Sequence, residues 1–294
     1  MFYIDSVIFI GLYVSGILVG KNRYVKVAGD YFQYVVFSLI FIMAMWAGYS
    51  LSTSSLASLA LFSLIYSIII IFTTYIIGIA LNFSLTFRNY KVEKVKTQFQ
   101  WKYLLVFILG LVAGVSKLNL PYDLLIQYML YILAFVAGVS IRGFLTKEIL
   151  LKSLTSSIYS VVIAFSGAVV ASVLLYFLGL RPFQLSLGVS IANGWYSFAG
   201  PFLGLYYGSS AGVIGFLTNF LREQLTFIIV PTLARILPLP EPLIAIGGAT
   251  SMDTTLGVYM GVLNSKKDSI TAIVSGVIIT ILVPIVLPIS VIFK

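Results

Sequence analysis

The chain is 294 residues long, 60% apolar and only 9% charged, and it contains no Cys and no His. Soluble domains carry about 25% charged residues, so this composition excludes a water-facing enzyme or nucleic-acid-binding module. The missing residues exclude disulfides, thiol nucleophiles, the usual zinc and haem sites and an imidazole proton relay.

The first apolar stretch, 2–20, is too long for a signal-peptide core and is followed by Lys21-Asn22-Arg23 without a small-residue cleavage site. It reads as a retained span. A helix crosses about 30 Å of hydrocarbon in about 20 residues, and further spans are predicted at 31–49, 57–82, 103–119, 123–141 and 154–179, with two more near 211–235 and 269–292. The net charge of +9 gathers in loops 21–30, 83–102 and 142–153, whereas 50–56 is uncharged and 117–123 holds one Lys and one Asp. Such a distribution marks topology rather than an anionic partner, and it places the basic loops in the cytoplasm and the N-terminus outside. The longest polar segment is 88–102, so residues 1–294 are expected to form one membrane transport domain.

Two further segments, 184–208 and 243–263, are apolar but interrupted, the first by Asn193-Gly194 and Gly200-Pro201, the second by the run Gly247 to Thr255. Gly and Pro weaken the helix, and irregular backbone at membrane depth survives only where protein or a wet cavity covers it. The expected fold is an all-α polytopic membrane protein with about eight transmembrane helices and two re-entrant segments, which leaves the C-terminus outside. The alternative is ten spans with two broken helices.

Two internal matches suggest inverted repeats. A shift of 90 residues sets Ala47-Gly48-Tyr49-Ser50 on Ala137-Gly138-Val139-Ser140, and Gly16-x-x-x-Gly20 resembles Gly110-x-x-x-Gly114. Residues 1–180 then form two three-helix repeats of opposite orientation. A shift of 53 sets Gly194, Leu203-Gly204 and Tyr206 on Gly247, Leu256-Gly257 and Tyr259 within the region 181–294. Inverted pairing would bring both breaks towards the midplane, where secondary transporters bind substrate.

An acid in hydrocarbon costs at least about 2.5–3.5 kcal/mol, so embedded acids are the first functional candidates. Glu223 sits mid-span with Asn219 and Thr226 on its face and Arg222 beside it. Asp253 lies in the second break. The bland readings are a Glu223–Arg222 bridge and an Asp253 helix cap. Asp5 reads as interfacial, Asp123 as a helix start, and Glu241 and Asp268 as loop charges. The aromatic residues are mostly belts and packing, with Trp195-Tyr196 the exception because the pair adjoins the first break.

Three motifs, Gly194-Trp195-Tyr196-Ser197-Phe198-Ala199-Gly200, Leu221-Arg222-Glu223 and Gly247-Gly248-Ala249-Thr250-Ser251-Met252-Asp253-Thr254-Thr255, resemble the LysO lysine exporter family in pattern, order and spacing. The resemblance implies export of L-lysine and toxic lysine analogues across a prokaryotic inner membrane, with both termini outside and eight spans. It also implies that two intramembrane acids, matching Glu223 and Asp253, are essential. The family pattern has Asp where this chain has Asn219.

The expected mechanism is alternating access with proton antiport. Glu223 and Asp253 hold an ammonium, while Ser197, Thr250, Ser251, helix N-termini or Arg222 hold the carboxylate. No cofactor or metal is expected, and the oligomeric state stays open. Two rival readings are a Na+-coupled carrier of another small solute, using carbonyls freed at 247–255, and an intramembrane aspartyl hydrolase with the same acids as a dyad.

Overall fold

A computed structural model describes residues 2–20, 31–81, 100–142, 153–263 and 265–292. The three basic loops lie almost wholly outside the described residues. Among those residues every regular element is helical: α1 (Phe2–Val19), α2 (Phe32–Ser50), α3 (Thr53–Leu81), α4 (Trp101–Gly114), α5 (Tyr122–Arg142), α6 (Leu154–Phe177), α7 (Phe183–Ile191), α8 (Tyr196–Tyr207), α9 (Ser209–Ile236), α10 (Pro240–Gly247), α11 (Leu256–Leu263) and α12 (Lys266–Ile292), with a 3-10 turn at Gly248–Met252. The Ile- and Thr-rich α3 is helical despite its β-branched side chains. Hydrocarbon offers no water to a strand edge, so the backbone must satisfy itself locally.

Helices α2, α3, α5, α6, α9 and α12 are each long and apolar enough to cross a membrane. The expected span 103–119 is shorter than predicted: α4 stops at Gly114 after 14 residues. Lys117 then turns back in a left-handed conformation, φ 55°. Its Nζ donates to the carbonyls of Gly48 (3.3 Å) and Tyr49 (2.5 Å), the last turn of α2. Each interrupted segment is two short helices. The first break falls at 192–195, where Asn193 (φ 49°) and Gly194 (φ 87°) are left-handed. Gly200-Pro201, by contrast, makes no break and lies inside α8. Pro201 sits early enough in α8 that it removes only the bond to the Ser197 carbonyl.

Two close crossings organise the first six helices. A Cβ on Gly16 or Gly138 would run into the backbone of Phe135 or Tyr13, so α1 and α5 touch backbone to backbone. The same holds for Gly48 and Gly114 against Leu111 and Met45, between α2 and α4. Small residues permit this approach where lipid supplies no hydrophobic drive between helices. Helices α3 and α6 pack antiparallel, Gly167 against Thr74 and Gly78 against Ile163.

This scaffold fixes where the interrupted segments begin and end. Ser209, at the α8–α9 turn, shares a hydrogen bond of 2.6 Å with Ser50 at the end of α2. Phe183, at the start of α7, meets Tyr176 at the end of α6. Both ends of 183–207 therefore lie at the Ser50 end of the bundle. The opposite end holds both ends of 240–263. There Tyr75 donates to the Leu237 carbonyl at 2.7 Å and Ser160 to that of Glu241 at 3.3 Å, while Ser153 bonds Thr271 in the first turns of α12. Glu241 is thus in the first turn of α10 behind Pro240, not in a loop. Asp268, expected to be solvated, is buried in the first turn of α12.

Candidate functional site

The two breaks meet. Ala249 N–H donates to the Asn193 carbonyl at 2.8 Å, and a Cβ on Gly194 would stand 3.1 Å from the Gly247 carbonyl oxygen. Gly248 is left-handed (φ 61°) with its α-carbon packed on Asn193. Only glycine fits there, since a side chain would enter the Asn193 backbone.

Helix α9 passes beside the junction and ties it down with two side chains. The carboxamide oxygen of Asn219 accepts from Gly194 N–H at 2.8 Å, and its nitrogen donates to the carbonyls of Val189 and Gly215, each at 3.0 Å. Arg222 is fully buried. Its Nε donates to the Ile246 carbonyl (2.9 Å), Nη2 to that of Ala245 (3.1 Å) and Nη1 to Asn193 Oδ1 (3.1 Å). Those carbonyls belong to the last turn of α10, where a helix has unpaired acceptors and negative partial charge. The guanidinium therefore takes three neutral acceptors and bridges the two breaks. It is not hydrogen-bonded to Glu223, so the bland alternative of a bridge between these neighbours does not form.

Glu223 is 1% exposed. Its Oε1 accepts from the Gln224 carboxamide at 3.0 Å, whereas Oε2 is buried with no hydrogen-bond partner. Asp253, in the second break, is exposed. One of its oxygens accepts from Thr254 N–H at 2.6 Å and Thr254 hydroxyl at 3.3 Å. These are its own neighbour's groups rather than the free amides of α11, so the carboxylate does not act as a helix cap. Glu223 and Asp253 line one cavity of about 110 Å³.

Six of the nine expected site residues share that cavity: Glu223, Asp253, Trp195, Tyr196, Ser197 and Thr250. Asn219, Arg222 and Ser251 do not line it. Ser251 donates to the carbonyls of Gly248 and Ala272, both at 2.8 Å, and so fastens the 3-10 turn to α12. Thr250 donates to the Gly247 carbonyl at 2.9 Å. Of the carbonyls at 247–255 that the rival sodium reading would use, those of Gly247 and Gly248 are thereby occupied by hydroxyls. No cluster of three or more acidic side chains occurs among the described residues.

Sequence reasoning missed Asn193 as a junction residue and Tyr103, Phe32 and Val36 as cavity walls. Asn193 carried a signal, because Asn tolerates the left-handed region at a break. The other three begin ordinary apolar helices and carried none.

Above the breaks, towards Ser50, aromatic rings fill the bundle: Phe9 stacks on Phe198 (4.8 Å), Phe198 touches Phe202 (5.1 Å) and Phe107 stacks on Phe216 (4.6 Å). On the other side the walls are the first turns of α2 and α4, which follow the basic loops 21–30 and 83–102.

In comparisons with known proteins, the family model described as Lysine exporter LysO matches residues 104–291, which include both breaks and both acids. No curated protein matches the chain.

Proposed function

Because the chain belongs to the LysO lysine exporter family, we propose that it exports L-lysine and lysine analogues across a prokaryotic inner membrane by proton antiport. Glu223 and Asp253 hold the substrate ammonium and the proton in turn. The observation that carries this reading is the unpartnered Glu223 Oε2, buried in a cavity that Asp253 shares. A carboxylate left without a partner at that depth is costly unless a proton or a cation neutralises it. One site that accepts either, but not both together, couples their movements.

Eight crossing helices with two re-entrant hairpins entering from opposite faces account for the positions of the segment ends. Under the positive-inside rule the Ser50 end is outside, so the cavity faces the cytoplasm and the aromatic layers close the outer path. That is the arrangement an exporter needs for loading. Small-molecule pockets are usually at least about 300 Å³, and the cavity of about 110 Å³ must widen to take lysine. Arg222 is committed to Asn193 and the α10 carbonyls, and the Thr250 hydroxyl to the Gly247 carbonyl, so the substrate carboxylate falls to Ser197 in the first turn of α8.

The test is uptake of labelled lysine into inside-out vesicles containing the purified protein, with and without an imposed proton gradient. Gradient-driven accumulation that disappears in Glu223→Gln and Asp253→Asn supports the mechanism. Wild-type pH dependence in either variant removes the proton assignment, and absence of lysine transport in folded protein removes the substrate.

A further inference from the structure

A primary ammonium has three N–H donors. Glu223 Oε1 already accepts from Gln224 and one Asp253 oxygen from Thr254, and an ammonium that makes one hydrogen bond to each carboxylate keeps a third N–H for another wall of the cavity.

Tyr103, in the first turn of α4, lines the same cavity. Both carboxylates lie within electrostatic reach of its phenol, and its hydroxyl makes no hydrogen bond to any described residue. The ring is fixed: it meets Tyr196 edge-on at 5.4 Å and Phe37 at 5.3 Å, and Tyr196 is itself held by Phe216 (5.6 Å) and Phe220 (5.4 Å). It is therefore a rigid wall carrying a free acceptor.

We propose that Tyr103 is a substrate-binding residue whose phenol oxygen accepts the third hydrogen bond of the bound ammonium. This rests on the reading of the cavity as the lysine site. Tyr196 is the competing phenol, but it is buried in the first turn of α8, whereas Tyr103 is half-buried.

The experiment is transport of labelled lysine in proteoliposomes for wild type, Tyr103→Phe and Tyr196→Phe. A hydrogen bond to a charged group predicts a KM about ten-fold higher in Tyr103→Phe with kcat within about two-fold. Unchanged KM in Tyr103→Phe, or loss of affinity in Tyr196→Phe instead, overturns the assignment and leaves the lysine reading standing. Wild-type protein that moves no lysine overturns both.

Discussion

Arg222 and Glu223 are consecutive residues of one helix, both almost fully buried, and they differ in what the protein gives their polar atoms. The guanidinium donates to two carbonyls at the end of α10 and to the Asn193 side chain, whereas Glu223 keeps one oxygen unbonded. Removing the first should therefore break structure, and changing the second should break function. Arg222→Met strands three buried acceptors, for which we expect a loss of about 3 kcal/mol or more, seen as a lower Tm in detergent. Glu223→Gln preserves shape and should hold the wild-type Tm while abolishing gradient-driven lysine uptake and flattening its pH dependence. A variant with normal uptake would show that the orphaned carboxylate is not the coupling group.

Among elements, the paired crossings α1–α5 and α2–α4 show how glycine positions convert sequence into helix packing. Gly138 touches the Tyr13 backbone and Gly48 that of Leu111, while Gly16 faces Phe135 and Gly114 faces Met45. Exchanging α1 with α4 and α5 with α2 carries one set of contacts onto the other, which supports the proposed inverted pair. The contacts set Gly16 against Gly114, one helical turn from the Gly16–Gly110 match in the sequence. Repeated small residues offer several registers, and only backbone approach selects one. Gly138→Val and Gly48→Val should each cost about 1–3 kcal/mol through overpacking. Gly11→Val, with open space around its Cβ, should leave Tm unchanged. Equal effects at Gly11 and Gly138 would refute this account of the crossings.

At the scale of the whole molecule the open question is which face of the membrane each end of the bundle meets. The chain has no Cys, so single cysteines report without background. Ser54→Cys, exposed at the Ser50 end, should react with an impermeant maleimide in intact cells. Lys266→Cys, at the other end and exposed, should react only in inside-out vesicles. The reverse pattern would invert the topology, and labelling from one side alone would contradict opposite re-entrant hairpins. The same directionality predicts that lysine added on the cytoplasmic face protects a cysteine placed at Phe32, a half-buried residue of the cavity wall.

The amino-acid sequence alone determined where most of the helices run, where one segment breaks at Asn193-Gly194 and another at Gly247–Thr255, and that Glu223 is an acid buried at a cost. Each of these depends on local composition: a long apolar stretch in hydrocarbon can only be helix, and glycine and charge are penalised wherever they fall. The family motifs added the kind of cargo. Only the tertiary structure decided that the two breaks touch, that Arg222 serves the backbone rather than Glu223, that Gly200-Pro201 stays helical and that Tyr103 faces the acids. Each of those outcomes is a contact between segments far apart in the chain. Contacts of that kind are fixed by how whole helices fit together, and no short stretch of the sequence encodes them by itself.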